Sequence, residues 1–112
     1  MEEIKFIRTT SLKAKYSDES SLGFGKCFTD YMFMMEFDHE YGWHSPRVQP
    51  YQNLSINPAA TVFHYAQEIY EGLKAYRADD GEVLLFRVGD NAARMNRSGD
   101  RMCIPPIDEA MQ

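Results

Sequence analysis

Residues 28–37 alternate in polarity. Tyr31, Phe33, Met35 and Phe37 fall on one side of an extended chain, and Asp30, Met32, Met34 and Glu36 on the other. This period of two predicts a strand with one wholly apolar face. Residues 4–7 predict a short first strand, and residues 11–25, rich in Ser, Lys and Gly, predict the loop after it. The stretch 38–58 is punctuated by Gly42, Pro46, Pro50 and Pro58, which predicts an extended connection with at most a short strand. Asn57-Pro58 reads as a helix start, since Asn caps and Pro suits the first helical position. A short helix is expected over residues 59–70, ending before Gly72. Residues 73–77 and 82–87 flank Asp79-Asp80-Gly81, the pattern of a hairpin whose glycine takes a positive φ.

The next helix is expected from near Asp90 to about Cys103, stopped by Pro105-Pro106. On its wheel Ala92, Met95, Gly99 and Met102 form a core-facing stripe, with Arg94, Arg97 and Arg101 roughly opposite. Asp108 is a capable N-cap, followed by good helix formers up to Gln112. One turn is far short of a self-supporting helix. The end of the sequence therefore reads as a truncated chain, with a frayed tail as the plain alternative.

Composition narrows the class. The 112 residues are 44% hydrophobic and include seven Phe and seven Tyr, enough for a packed core. Repeats and low-complexity tracts are absent, and the expected architecture is a single α+β domain. A net charge of -5 argues against a nucleic-acid surface, which needs a basic excess. The opening MEEIKFIR is acidic where a signal peptide would be basic, and no apolar run approaches membrane-spanning length. Cys27 and Cys103 are far apart and belong to no CxxC pair, so neither a zinc site nor a disulfide framework is expected. The cytoplasm is the expected compartment.

Few residues suggest chemistry by themselves. Arg94, Arg97 and Arg101 repel one another on one helix face unless an anion or carboxylates lie nearby, and a guanidinium fork suits phosphate oxygens. The plainer reading is a solvated helix face. His64 and Tyr65 are expected in the same short helix as Tyr70, where a histidine is more often hydrogen-bonded than catalytic. His39 and His44 are expected in a loop beside Asp38 and Glu40, with no metal-ligand spacing. Gly23-Phe24-Gly25 matches no phosphate-loop fingerprint. The lysines at 5, 13, 15, 26 and 74 have no local feature that would activate an amine.

Four blocks read in order carry more: FGKCFTDYMFMMEFD, GWHSPRVQPYQNL, NPAATVFHYAQEIYEGLKAYR and LFRVGDNAARMNRSGDRMCIP. Together they resemble the opening blocks of the branched-chain amino acid aminotransferases, pyridoxal-phosphate enzymes of fold type IV, from about Phe24 to Pro105. The resemblance implies a small α+β domain of antiparallel strands with two or three helices at residues 24–107. An N-terminal strand and polar loop would occupy residues 1–23, and the first turn of a further helix residues 108–112. It implies reversible amino transfer between leucine, isoleucine or valine and 2-oxoglutarate, and a homodimer or higher oligomer. The family's cofactor lysine lies in a larger domain past Gln112, and none of the five lysines here matches it, so the chain alone is expected to be inactive.

Residue by residue, Arg94 in NAARM resembles the arginine that grips the cofactor phosphate, while Arg97 and Arg101 keep the solvated reading. Phe24 resembles an aromatic wall of the substrate pocket, and Tyr65 a tyrosine that reaches the partner subunit's pocket. Tyr70 stands where relatives usually have Phe, in FEG. A hydroxyl left unpaired in such a pocket costs about 1–3 kcal/mol, so Tyr70 is expected either to find a partner or to alter substrate preference. A free-standing binding or dimerisation module is the non-enzymatic alternative. D-amino acid transamination and aminodeoxychorismate cleavage are the sibling activities.

Overall fold

The computed structural model describes residues 2–112, which have mixed α and β content and form two compact units divided between Ser55 and Ile56. The first unit is a three-stranded sheet. Strand β1 (Lys5–Phe6) pairs parallel to β3 (Gly42–Pro50), and β3 pairs antiparallel to β2 (Tyr31–Asp38), giving the order β1-β3-β2.

The alternating stretch is a strand as expected, starting at Tyr31. The segment after it corrects the sequence reading, because residues 42–50 are the central strand rather than a connection. Two features reconcile its prolines with that position. The register runs Met34↔Arg47 and then Glu36↔His44, which places one extra residue on β3 around Ser45-Pro46. Ser45 takes φ 55 there and donates its backbone N–H to a Glu2 carboxylate oxygen at 2.7 Å. The bulge thus removes Pro46, which has no N–H, from the regular ladder. Pro50 sits at the strand's end.

Aromatic pairs run along this sheet. Ring centroids are 5.1 Å apart for Phe6–Tyr31 and 5.2 Å for both Phe37–Trp43 and Phe28–Tyr51. Lys13 ties the preceding loop down, donating to the Thr29 carbonyl at 2.9 Å with its ammonium 4.6 Å from the Tyr51 ring centre.

The second unit holds α1 (Thr61–Tyr65), a hairpin of β4 (Ala75–Arg77) and β5 (Val83–Leu85), α2 (Val88–Arg101) and a 3-10 turn at Glu109–Met111. The hairpin matches the sequence reading: Tyr76 opposes Leu84, and Gly81 takes φ 89 in the turn. The helix expected over 59–70 is much shorter. Asn57 and Pro58 form a preceding turn, in which Asn57 accepts from the Ala59 N–H at 2.8 Å, instead of capping the helix. Ala66 takes a left-handed conformation and stops α1, so Tyr70 lies outside it. A five-residue helix cannot support itself. Gln67 fastens this one, accepting from the Thr61 hydroxyl at 2.6 Å and donating to the Met102 carbonyl at 2.8 Å.

Helix α2 follows its predicted stripe. Ala92 and Gly99 are buried, and Met95 and Met102 half-buried. It ends before the prolines, in a Schellman arrangement. The Ile104 N–H returns to the Gly99 carbonyl at 2.9 Å and the Cys103 N–H to the Asp100 carbonyl at 3.2 Å. Cys103 occupies the left-handed position at φ 56, where glycine is usual. Asn96 then clamps Ile107, donating to its carbonyl at 2.8 Å and accepting from its N–H at 2.9 Å.

Little of this is sealed by apolar burial. Among the described residues no large hydrophobic side chain is fully buried, and the small Ala92, 5% exposed, is the buried core hydrophobic. The accessible surface is 9770 Å². Two separate compact bodies, each half of 13.0 kDa, would expose about 7,700 Å² in total. The surplus means that faces with core-like composition meet solvent.

Candidate functional site

Helix α2 places Asn91, Arg94 and Ser98 on one face through spacings of three and four. Opposite them runs the extended segment Tyr70-Glu71-Gly72. Glu71 is the centre of the constellation, its side chain only 10% exposed. One carboxylate oxygen, Oε2, accepts from Arg94 Nε at 2.7 Å, and the other, Oε1, accepts from Arg94 Nη2. Oε1 also accepts from Asn91 Nδ2 at 3.0 Å and from the Gly72 N–H at 3.0 Å. Asn91 Nδ2 in addition donates to the Gly72 carbonyl at 2.9 Å, which fixes the amide between helix and segment.

The electrostatics follow. The hydrogen bonds from Arg94 hold the Glu71 carboxyl at about 2, against 4.5 for an ordinary glutamate, and the same bonds raise Arg94 further above its usual range. The folded value lies below the unfolded one, so the pair's contribution to stability is complete above pH 4.5 and disappears as the pH falls toward 2. A carbon-13 NMR titration of the side-chain carboxyl is expected to place the Glu71 midpoint near 2 and to move it upward in Arg94→Ala. A midpoint at the ordinary value in the unsubstituted chain would show that the pair does not persist in solution.

The remaining arginine capacity is what a ligand would use. A guanidinium has five N–H donors, and Glu71 engages two of them. The Arg94 side chain is 58% exposed and borders an open recess of about 360 Å³ lined by Tyr70, Glu71, Gly72, Arg94 and Ser98. Three unused donors, a nearby hydroxyl and solvent access fit the oxygens of a phosphate ester. The donor set therefore fits the phosphate end of pyridoxal phosphate.

The structure brings Arg94 and Tyr70 together at this recess. Tyr70 is 94% exposed, so its hydroxyl meets solvent. Tyr65, at the end of α1, is exposed and does not line the recess. Phe24 is exposed and belongs to the first unit. Arg97 and Arg101 border a separate recess with Asp100 and Glu109. His44 is a strand residue, in correction of the loop reading, and its Nε2 lies 3.0 Å from Asp38 Oδ2. His64 is exposed, with Nε2 2.6 Å from the Pro58 carbonyl. Among the described residues no three His, Cys, Asp or Glu side chains converge to hold a metal ion, and no helix is long and apolar enough to cross a membrane. The sequence reading missed Glu71 and Asn91. Asn91 had a legible signal, three positions before Arg94, whereas Glu71 had none beyond its charge.

No family model matches the chain. Individual relatives do. Branched-chain-amino-acid transaminase 1 of Bacillus subtilis is 57% identical over 94 residues, 84% of this chain and 26% of the relative. The cytosolic branched-chain-amino-acid aminotransferase of Saccharomyces cerevisiae is 49% identical over 102 residues, 91% of this chain and 27% of its own length. A probable branched-chain-amino-acid aminotransferase of Staphylococcus aureus is 48% identical over 107 residues, 96% of this chain and 29% of its own length. The chain thus spans between a quarter and a third of these relatives. Identity at this level, sustained along most of the chain, has one reading: by sequence the chain belongs to the branched-chain-amino-acid aminotransferase family.

Proposed function

We propose that residues 24–107 are the small domain of a cytoplasmic, pyridoxal-phosphate-dependent branched-chain amino acid aminotransferase, with Arg94 holding the cofactor phosphate. The observation that carries this reading is the 57% identity over 94 residues to a protein of that name. The exposed, partly engaged Arg94 adds physical support. The complete enzyme would move an amino group reversibly between leucine, isoleucine or valine and 2-oxoglutarate, working as a homodimer or higher oligomer. Pyridoxal phosphate, when bound, supplies the electron sink for the reacting α-carbon. The residues of this chain bind and shape. Arg94 would anchor the phosphate, and Phe24, Tyr65 and Tyr70 would supply aromatic walls that exclude water and select branched side chains. Tyr70 stands where relatives usually carry phenylalanine, and its hydroxyl would either take a hydrogen-bond partner in the assembled pocket or alter substrate preference.

In a complete aminotransferase carrying this segment, Arg94→Ala is expected to weaken pyridoxal phosphate binding about ten-fold or more, the value of a charge-assisted contact. Arg97→Ala, which removes only an exposed charge, is expected to do far less. Equal losses in spectroscopic titrations of the two apoenzymes would mean that Arg94 is not the phosphate ligand.

A further inference from the structure

We propose that Glu71 is a positioning residue for Arg94: it holds the guanidinium edge-on so that the three remaining N–H donors face the recess beside Gly72 and Ser98. This inference rests on the phosphate reading of Arg94 and assigns the residue that makes that arginine a fixed anion site.

The geometry supplies the argument. An arginine on an exposed helix face samples many rotamers, and an anion must stop that motion before it gains a bidentate contact. Here the stop already exists. Both carboxylate oxygens of Glu71 engage the guanidinium, through Nε and one terminal nitrogen, which fixes its plane as well as its position. The carboxylate is itself held from two other sides, by Asn91 Nδ2 and by the Gly72 N–H, each at 3.0 Å. Asn91 sits one helical turn before Arg94, so helix α2 carries both the arginine and a clamp on its counterion. Burial separates the roles: the Glu71 side chain is 10% exposed and that of Arg94 58%, so the carboxylate is turned inward and the cation outward. A residue that lies beneath the arginine orients it. The opposite possibility is a competitor, in which Glu71 neutralises Arg94 and an anion must displace it. The two make opposite predictions when the charge on Glu71 is removed.

The test uses apoenzyme of a complete aminotransferase carrying this segment, titrated with pyridoxal phosphate and, separately, with pyridoxal, which lacks the phosphate. Glu71→Gln keeps size and one acceptor oxygen but loses the charged two-point grip. It is expected to weaken pyridoxal phosphate binding about three- to ten-fold, within the range of a lost charged hydrogen bond, and to leave pyridoxal unchanged. Asn91→Ala, which leaves the ion pair intact but loosens Glu71, is expected to shift binding in the same direction by less. In the Arg94→Ala background Glu71→Gln is expected to add nothing, because it acts only through the arginine. Unchanged or tighter pyridoxal phosphate binding in Glu71→Gln would overturn the proposal in favour of the competitor. Equal weakening toward both ligands would overturn it in favour of general structural support. If Arg94→Ala alone leaves pyridoxal phosphate binding intact, the phosphate reading fails first. That outcome is told apart from a failure of the Glu71 role, in which Arg94→Ala weakens binding and Glu71→Gln does not.

Discussion

Incubated with pyridoxal phosphate, leucine and 2-oxoglutarate, the 112-residue chain is expected to produce no glutamate above a cofactor-only control. Amino transfer on pyridoxal phosphate needs an amine that holds the cofactor covalently and then moves protons at the substrate carbon. The five lysines of the chain are poor candidates. Lys13 is committed to the Phe28 and Thr29 carbonyls and to the Tyr51 ring. Lys74 borders a recess, but with Gly72, Leu73, Tyr76, Phe86 and Asn91 rather than with Arg94. Within the second unit Lys74 does not line the recess of Arg94, and the resemblance matches none of the five lysines to the family's cofactor lysine. The size of the expected effect is therefore the whole catalysed rate. Sustained glutamate production, abolished by Lys74→Ala or Lys13→Ala, would identify a catalytic amine within the chain and overturn the expectation.

The second large effect is association. The isolated chain is expected to form dimers or higher species at micromolar to millimolar concentration. The side chains responsible are exposed aromatics and aliphatics on regular elements, including Phe6, Phe33, Phe63, Leu84 and Leu85. Covering about 400 Å² of such surface contributes on the order of 10 kcal/mol, against an association cost of about 4–15 kcal/mol. The accessible area exceeds that of two compact bodies by about 2,100 Å², several times this patch, so more surface is open to contact than the roughly 400 Å² counted. The net charge of -5 opposes association weakly, because at physiological salt screening acts over about 8 Å. Sedimentation velocity at several loading concentrations measures it. A single monomeric boundary across that range would mean that these side chains are covered within one chain in solution.

The two sequence readings that failed differ in cause. The helix expected over 59–70 failed because its start was judged from Asn57-Pro58 alone. The asparagine's side chain instead closes a turn with Ala59, and Ala66 adopts a left-handed conformation that no local residue type announces. The strand at Gly42–Pro50 was missed because proline argues against a central strand. The bulge at Ser45-Pro46 removes that objection, and a bulge depends on the register of a partner strand.

What the sequence determined by itself is what rests on local period and on blocks of residues kept in order. The strand over residues 31–37, the glycine turn at Gly81 and the stripe Ala92, Met95, Gly99 and Met102 each follow from spacing along one element, and the structure has them. The family was legible in the same way, from four motifs in sequence. What only the tertiary structure decided is pairing across distance. Glu71 and Arg94 are separated by 23 positions, and no period relates them. Their partnership exists because Gly72 and Asn91 bring an extended segment against one face of α2. A charge in a sequence has no direction. It gains one when backbone geometry sets a second charge beside it and turns one of the two inward, as here the carboxylate beneath and the guanidinium toward the recess.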